Sequence, residues 1–211
     1  LMDIIKKLAQ ELTIKEEQAK AAVQLIDEGN TIPFIARYRK EMTGALNDET
    51  LRNLHERLLY LRNLEEKKEQ VINAITEQDK MTDELKKKIL AAETLVAVDD
   101  LYRPYRPKKQ TRATKAKEKG LEPLANILLL QATSKSMEEE AQSFVNEAKG
   151  VANVKEALAG AKDIIAEMIA DKADYRKSIR NCTMKQGRLV VKAKDEKAES
   201  VYEMYYDFSE E

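Results

Sequence analysis

The stretch Glu49 to Gln78, "ETLRNLHERLLYLRNLEEKKEQVINAITEQ", decides the fold class. Leu51, Leu54, Leu58 and Leu61 recur at the three- and four-residue steps of one helix face, and Leu64, Val71 and Ile75 continue the stripe. No Gly or Pro interrupts it, and Asn47 or Asp48 stands where an N-cap belongs. At 1.5 Å per residue such a helix is a rod of about 45 Å, longer than a compact core requires. The spacing therefore predicts a spine or lever.

Shorter segments on both sides carry the same period. Six Gly and four Pro in 211 residues leave few breakers, so the chain reads as all-α with at most one short strand. A first helix is expected over Met2 to Glu11, and Thr13 with Glu16 forms a capping-box pattern for a second, ended by Gly29. Thr31 then caps a third that begins with Pro33 near its start and continues through "FIARYRKEM". Thr82 opens another with Asp83 and Glu84 at the positive end of its dipole, and "TLVAVDDLY" forms one that stops before Pro104. Later, "GLEPLANILLLQ" reads as a buried helix and Ser136 caps the next. Val154, Leu158, Ala161, Ile165 and Met168 form a packing seam that Tyr175 and Ile179 extend. "GRLVVKAK" is the one strand candidate, and a final helix is expected over Val201 to Tyr206. The expected organisation is a helix-turn-helix-like part over 1–46, then a helical core over 47–211 that contains the long helix and a basic arm at 101–119.

Composition narrows the function classes. Hydrophobic residues make up 43% and charged residues 36%, enough for a core under a heavily solvated surface. The net charge is -1, so binding to a polyanion must come from charge gathered into a patch. With the single cysteine Cys182 no internal disulfide forms, and no run approaches the ~20 apolar residues of a membrane span. The N-terminus lacks the apolar core of a signal peptide, and the expected location is the cytoplasm. Leu1 ahead of Met2 suggests either a residue left over from cloning or a chain cut from a longer parent. Tyr202, Met204, Tyr205, Tyr206 and Phe208 crowd the last positions, and a further domain is expected to follow and pack there.

Catalytic and metal chemistry have no constellation behind them. His55 has no second His or Cys at ligand spacing, and no Gly-rich phosphate loop occurs. Asp99 with Asp100, and Glu138 to Glu140, are adjacent carboxylates that point about 100° apart on a helix. The expectation is no enzyme, no cofactor and no metal.

Charge is gathered in two places. Between Leu101 and Lys119 stand Arg103, Arg106, Lys108, Lys109, Arg112, Lys115, Lys117 and Lys119 against the single acid Glu118. Pro104 and Pro107 are expected to hold the first part extended, and Thr111 to cap a helix with Arg112, Lys115 and Lys119 on one face. Such an arm suits a phosphate backbone, with Tyr102 and Tyr105 offering stacking surfaces. It equally suits a connector in which the tyrosines pack and the arginines bridge carboxylates. The second place is "EGNTIPFIARYRKEMTGAL", two helices joined by a four-residue turn containing Gly29, the spacing of a helix-turn-helix. Its second helix buries Ile32 and Ile35 and shows Arg37, Lys40 and Glu41, with Arg39 nearby. The same turn is common in helical bundles, where Arg37 and Glu41 form an ion pair.

Together "TIPFIARYRKEMTGAL" and "DLYRPYRPKKQTRATKAKEKGLEPLA" resemble the hallmark stretches of the N-terminal region of the Tex family, the bacterial transcription accessory (toxin-expression) proteins. "LRNLHERLLYLRNLEEKKEQVINAI" and the terminal "YYDFSEE" fit the same pattern in order, so the likeness spans nearly the whole chain. It implies a cytoplasmic, non-enzymatic protein that binds RNA or DNA and works with the transcription machinery, related to a eukaryotic elongation factor that accompanies RNA polymerase and histones. It also implies that an RNase H-like domain, helix-hairpin-helix modules and an S1 domain follow in full-length members, the S1 domain being the strongest binder. The residues that carry over are Arg37, Arg39 and Lys40, and the arm Arg103, Arg106, Lys108, Lys109, Arg112 and Lys115. Gln110 departs from the family's basic pattern. The alternative function is a scaffold that positions later domains without touching nucleic acid.

Overall fold

The computed structural model describes residues 3–107 and 110–210. Helices dominate, and the chain divides into two compact units, Leu1–Tyr102 and Arg103–Glu211. The first unit holds α1 (Ile4–Leu12), α2 (Glu16–Asp27), α3 (Ile32–Tyr38), α4 (Lys40–Thr43), α5 (Asp48–Thr76), α6 (Asp83–Ala91) and α7 (Leu95–Tyr102).

Helix α5 organises this unit. Asn47 caps it, its side chain accepting a hydrogen bond from Thr50 N at 2.7 Å. Leu51, Leu54, Leu58, Leu61, Leu64, Val71 and Ile75 are all buried, and α1, α2, α3, α6 and α7 each pack on α5. Burying each leucine contributes about 1.5–3 kcal/mol relative to exposure. One position on the stripe is a lysine. Lys68 is 2% exposed, and its ammonium donates to Glu65 Oε1 at 2.8 Å and to the Leu90 carbonyl at 3.0 Å. A cation there meets the negative end of the α6 dipole. Around the rim, Arg57 makes a two-pronged contact with Glu11, and Arg62 another with Asp27 at 2.7 and 2.8 Å.

Two expected features of the N-terminal part are corrected. Thr13 does not cap α2: it takes a left-handed conformation (φ 56°) that closes α1, and the Gln18 side chain accepts from Lys15 N at 3.1 Å instead. The third helix does not run through "FIARYRKEM". It breaks at Arg39 (φ -126°, ψ 26°) and α4 follows as a separate turn. The far end of α4 is held from α2, where Gln18 Nε2 donates to the carbonyls of Thr43 and Gly44 at 3.2 and 3.1 Å. Gly44 has φ 61°, and a Cβ there would meet Gln18 Nε2 at 2.7 Å, so both conformation and space call for glycine.

The second unit begins with a 3-10 turn at Arg103–Tyr105, so Pro104 lies in a tight turn rather than in an extended arm. It continues with α8 (Arg112–Glu118), α9 (Glu122–Leu130), α10 (Met137–Gln142), α11 (Val154–Ala170) and α12 (Ala173–Gln186). Its core joins Ala113, Ala116, Leu121, Leu124, Ala125, Ala141, Val151, Ala157, Ala161 and Ile164. The expected seam is thus rotated. Ala157, Ala161 and Ile164 are buried, whereas Leu158 and Ile165 are partly buried and Met168, Tyr175 and Ile179 are exposed. Small side chains set this face: Gly160 on α11 lets Leu121 come so close that a Cβ would meet its Cδ1 at 2.4 Å.

The strand candidate becomes β1 (Leu189–Lys192), and it has a partner. β2 (Asp207–Glu210) pairs with it antiparallel, Leu189 facing Glu210 and Lys192 facing Asp207. There are therefore two strands among the described residues, where at most one was expected. The final helix shrinks to a 3-10 turn at Glu203–Tyr205, because the chain must reverse to bring β2 alongside β1.

Two outcomes follow from the first unit. Lys68→Ala leaves the Glu65 carboxylate without its buried cation, and a loss of about 3–5 kcal/mol is expected in urea denaturation. The Arg57 and Arg62 guanidiniums hold the Glu11 and Asp27 carboxyls below the usual carboxylate range by hydrogen bonding and charge. Depressed carboxylate pKa values add stability above the unfolded value that is lost as pH falls through the folded one. The stability gap between wild type and a Glu11→Gln, Asp27→Asn variant should close as pH drops from about 5 to 2, by under about 1 kcal/mol per pair. Denaturant titrations at stepped pH measure it.

Candidate nucleic-acid interface

The two basic segments have different fates. In the arm the cations are largely committed to local partners. Arg103 Nε donates to Asp171 Oδ1 at 2.9 Å, with the Asp171 side chain only 12% exposed. Lys117 pairs with Glu122 at 3.4 Å, and Lys119 Nζ donates to the Gly150 carbonyl at 2.7 Å. Arg112 is 87% exposed and lies 3.6 Å from Asp163. Thr111 caps α8 as expected, accepting from Thr114 N at 3.0 Å, and its hydroxyl reaches Glu167 Oε2 at 2.9 Å. Lys115 is exposed and makes no ion pair among the described residues. Lys108 and Lys109 lie outside the described residues.

Two clefts border the arm. One, of about 360 Å3, is lined by Arg103, Arg106, Gln110, Thr111, Glu167 and Asp171. The other, of about 270 Å3 between α8 and α11, has Arg112, Lys115 and Lys119 opposite Glu156 and Asp163. Each mixes both signs of charge, so neither presents the uniformly positive wall that concentrates phosphates. Tyr102 and Tyr105 are half-buried.

The corner formed by α3 and α4 is the contrary case. Arg37, Arg39 and Lys40 are exposed and carry no ion pair among the described residues, and the expected Arg37–Glu41 pair does not form. Their support is fixed. Ile35 is fully buried, Thr43 is buried with its hydroxyl donating to the Arg39 carbonyl at 3.2 Å, and Gln18 clamps the end of α4. Fixed backbone under exposed side chains keeps the charges together without ordering cost at each encounter.

Sequence reasoning missed the aromatic part of this corner. Phe34 and Tyr38 stand four apart, with centroids 5.3 Å apart and planes at 45°, and the Arg39 guanidinium lies 5.1 Å from the Phe34 centroid. Tyr38 is 61% exposed and Met42 51%. The available signal was the i, i+4 spacing of two rings flanking Ile35, which puts them beside the buried stripe and next to the arginines.

Fold and corner together define an all-α region with a cationic, aromatic-edged surface. The chain belongs to the Tex family: residues 2–76 match the Tex-like protein N-terminal domain, and residues 132–211 match the Tex central region-like domain. The transcriptional accessory protein Tex of Neisseria gonorrhoeae is 43% identical over 209 residues, 98% of this chain and 27% of the relative. Protein YhgF of Escherichia coli is 46% identical over 206 residues, 96% of this chain and 26% of the relative. The human S1 RNA-binding domain-containing protein 1 is 31% identical over 186 residues, 87% of this chain and 18% of the relative. The chain therefore spans about a quarter of the length of these bacterial relatives. No described helix is long and apolar enough to cross a membrane.

The division between arm and corner has a direct readout. Arg103→Ala, which strips Asp171 of a partner, should cost about 1 kcal/mol, whereas Arg37→Ala and Lys40→Ala should stay within about 0.5 kcal/mol of wild type. Thermal melts of the three variants check it.

Proposed function

We propose that this chain is a nucleic-acid-contacting helical region of a Tex-like transcription accessory protein, acting in the cytoplasm without enzymatic activity of its own. The observation that carries the reading is the α3–α4 corner, where Arg37, Arg39 and Lys40 are exposed and free of ion pairs among the described residues. Cations in that state displace counterions from a phosphate backbone, and the released counterions drive binding with little reading of bases. The two-helix entry to this corner, α2 and α3 joined by residues 28–31, has helix-turn-helix spacing. Two relatives support the reading by name, one as a transcriptional accessory protein and one as containing an S1 RNA-binding domain.

A second role is favoured for the arm. The Arg103–Asp171 pair and the Lys119 bond to Gly150 suit a connector that holds the second unit together, so the arm contributes scaffolding, to which Arg112 and Lys115 among the described residues add exposed charge. Partners in this reading are RNA or DNA, the transcription machinery, and further domains of the full-length protein.

Fluorescence anisotropy with labelled RNA and DNA at two salt concentrations tests the assignment. Arg37→Glu with Lys40→Glu should weaken binding more than tenfold and reduce the log–log salt slope by about 2. Arg112→Glu with Lys115→Glu should have the smaller effect. Equal affinity in wild type and both charge-reversed proteins rejects contact through either surface, and no binding of any of the three rejects nucleic-acid contact by this chain.

A further inference from the structure

We infer that the exposed apolar stripe of α12 is a docking face within the full-length protein, and that its occupant is the segment that follows Glu211. The inference rests on the reading of further domains as partners and is independent of nucleic-acid contact.

Helix α12 presents its sides in the reverse of the usual order. Among the described residues it is the one α-helix with no buried side chain. Its half-buried residues are Ala173, Arg176 and Arg180, which share one side. Tyr175, Ile179 and Cys182 recur at four- and three-residue steps roughly 120° round the helix from them. All three are exposed, Ile179 by 66%. An amphipathic helix ordinarily buries its apolar stripe and shows its cations. Here two arginines lie on the partly covered side and the stripe faces outward. A helix of this length is marginal in water without a packed apolar face, so a cover on the stripe is the arrangement that stabilises it.

The strand that follows has the same deficit. Leu189, Val190 and Val191 are exposed on both faces of β1, and a two-stranded hairpin is marginal on its own. The terminal aromatics are better satisfied where they stand. Tyr205 and Phe208 pack edge to face with centroids 5.5 Å apart, and the Tyr206 hydroxyl donates to the Ala198 carbonyl.

The route of the chain selects the occupant. Strand β2 runs antiparallel to β1 and so returns toward α12, and Glu210 pairs with Leu189, three residues after α12 ends at Gln186. Paired positions have Cα atoms about 5 Å apart, so whatever follows Glu211 sets out beside the end of α12. Relatives are about four times as long as this chain, which supplies a long continuation. Tethering gives a continuation that starts so near an effective concentration of about a millimolar, which a second copy of a dilute protein does not reach. The chemistry of the cover follows from the stripe: apolar side chains that fill the row from Tyr175 to Cys182. Lys172, 5.4 Å from the Tyr175 ring centroid, gives one end of the row a positive rim that suits an acidic residue of the cover.

Cys182 lies in the stripe and reports on it. Maleimide labelling, read at the Cys182 peptide by mass spectrometry, compares the full-length protein with the 211-residue chain. Cys182 should react about tenfold more slowly in the full-length protein, since the label enters only when the cover opens. Ile179→Asp in the full-length protein should restore the fast rate, and in the 211-residue chain it should leave the melting temperature unchanged because Ile179 is exposed there. Equal rates in the two wild-type proteins overturn the inference, as does a slow full-length rate that Ile179→Asp fails to raise. Slow labelling of the 211-residue chain itself also overturns it, in favour of a second copy if dilution restores the rate and of an internal cover if it does not. Failure of the nucleic-acid titrations leaves these rates unmoved, so the two readings fail separately.

Discussion

Helix α5 has to hide a stripe of seven apolar residues along one side, and the helices of the first unit are arranged by that demand. A helix this long with an uncovered leucine stripe would be marginal in water, since helical stability in proteins comes mostly from packing of the apolar face. Helices α1, α2, α3, α6 and α7 each supply a cover. Lys68 shows how strict the geometry is. It occupies the stripe between Leu64 and Val71, and burying its charge is tolerable because Glu65 and the end of α6 neutralise it where it lies.

Covering α5 from α3 has a consequence on the opposite side. Ile35 is drawn fully inward, and Arg37, two positions on and so on the far side of the same short helix, is turned out. Arg37 thus sits on the surface because its neighbour is needed in the core, while Tyr38 and Arg39 are exposed where the helix ends. The clamp from Gln18 then fixes the chain after Arg39, so that α4 presents Lys40 beside the same corner. The arm lacks such an arrangement. Its cations come from a tight turn and a short helix surrounded by Asp163, Glu167 and Asp171, and the local carboxylates take up much of the charge.

The all-α class, the long helix, the caps at Asn47, Thr82, Thr111 and Ser136, and the four-residue turn before α3 were all legible in the sequence, because each is a local signal. Features fixed by distant partners were not. The end of α4 is held by Gln18, 25 residues before Thr43, and Thr13 closes α1 while Gln18 accepts from Lys15 N at the start of α2. The α11 seam rotated because leucine and methionine dominate a periodicity count, while contact with α8 is made through alanine and glycine. Strand β2, Asp-Phe-Ser-Glu, carries little strand signal of its own, and its pairing with β1 is non-local. For the interface, charge counting pointed first to the arm, since a sequence shows how many cations there are but not which have partners.

The α8–α11 contact sets a different mutational terrain from the α5 seam. At the seam the side chains are already large, so most substitutions remove volume and leave cavities. On α8 and α11 the buried residues include Ala113, Ala116, Ala157 and Ala161, where a larger side chain adds volume to a packed core, and at Gly160 a Cβ would already meet Leu121. Drift in one unit is limited by loss and in the other by crowding. A library of conservative hydrophobic changes would accordingly leave the two units with opposite spectra of tolerated residues.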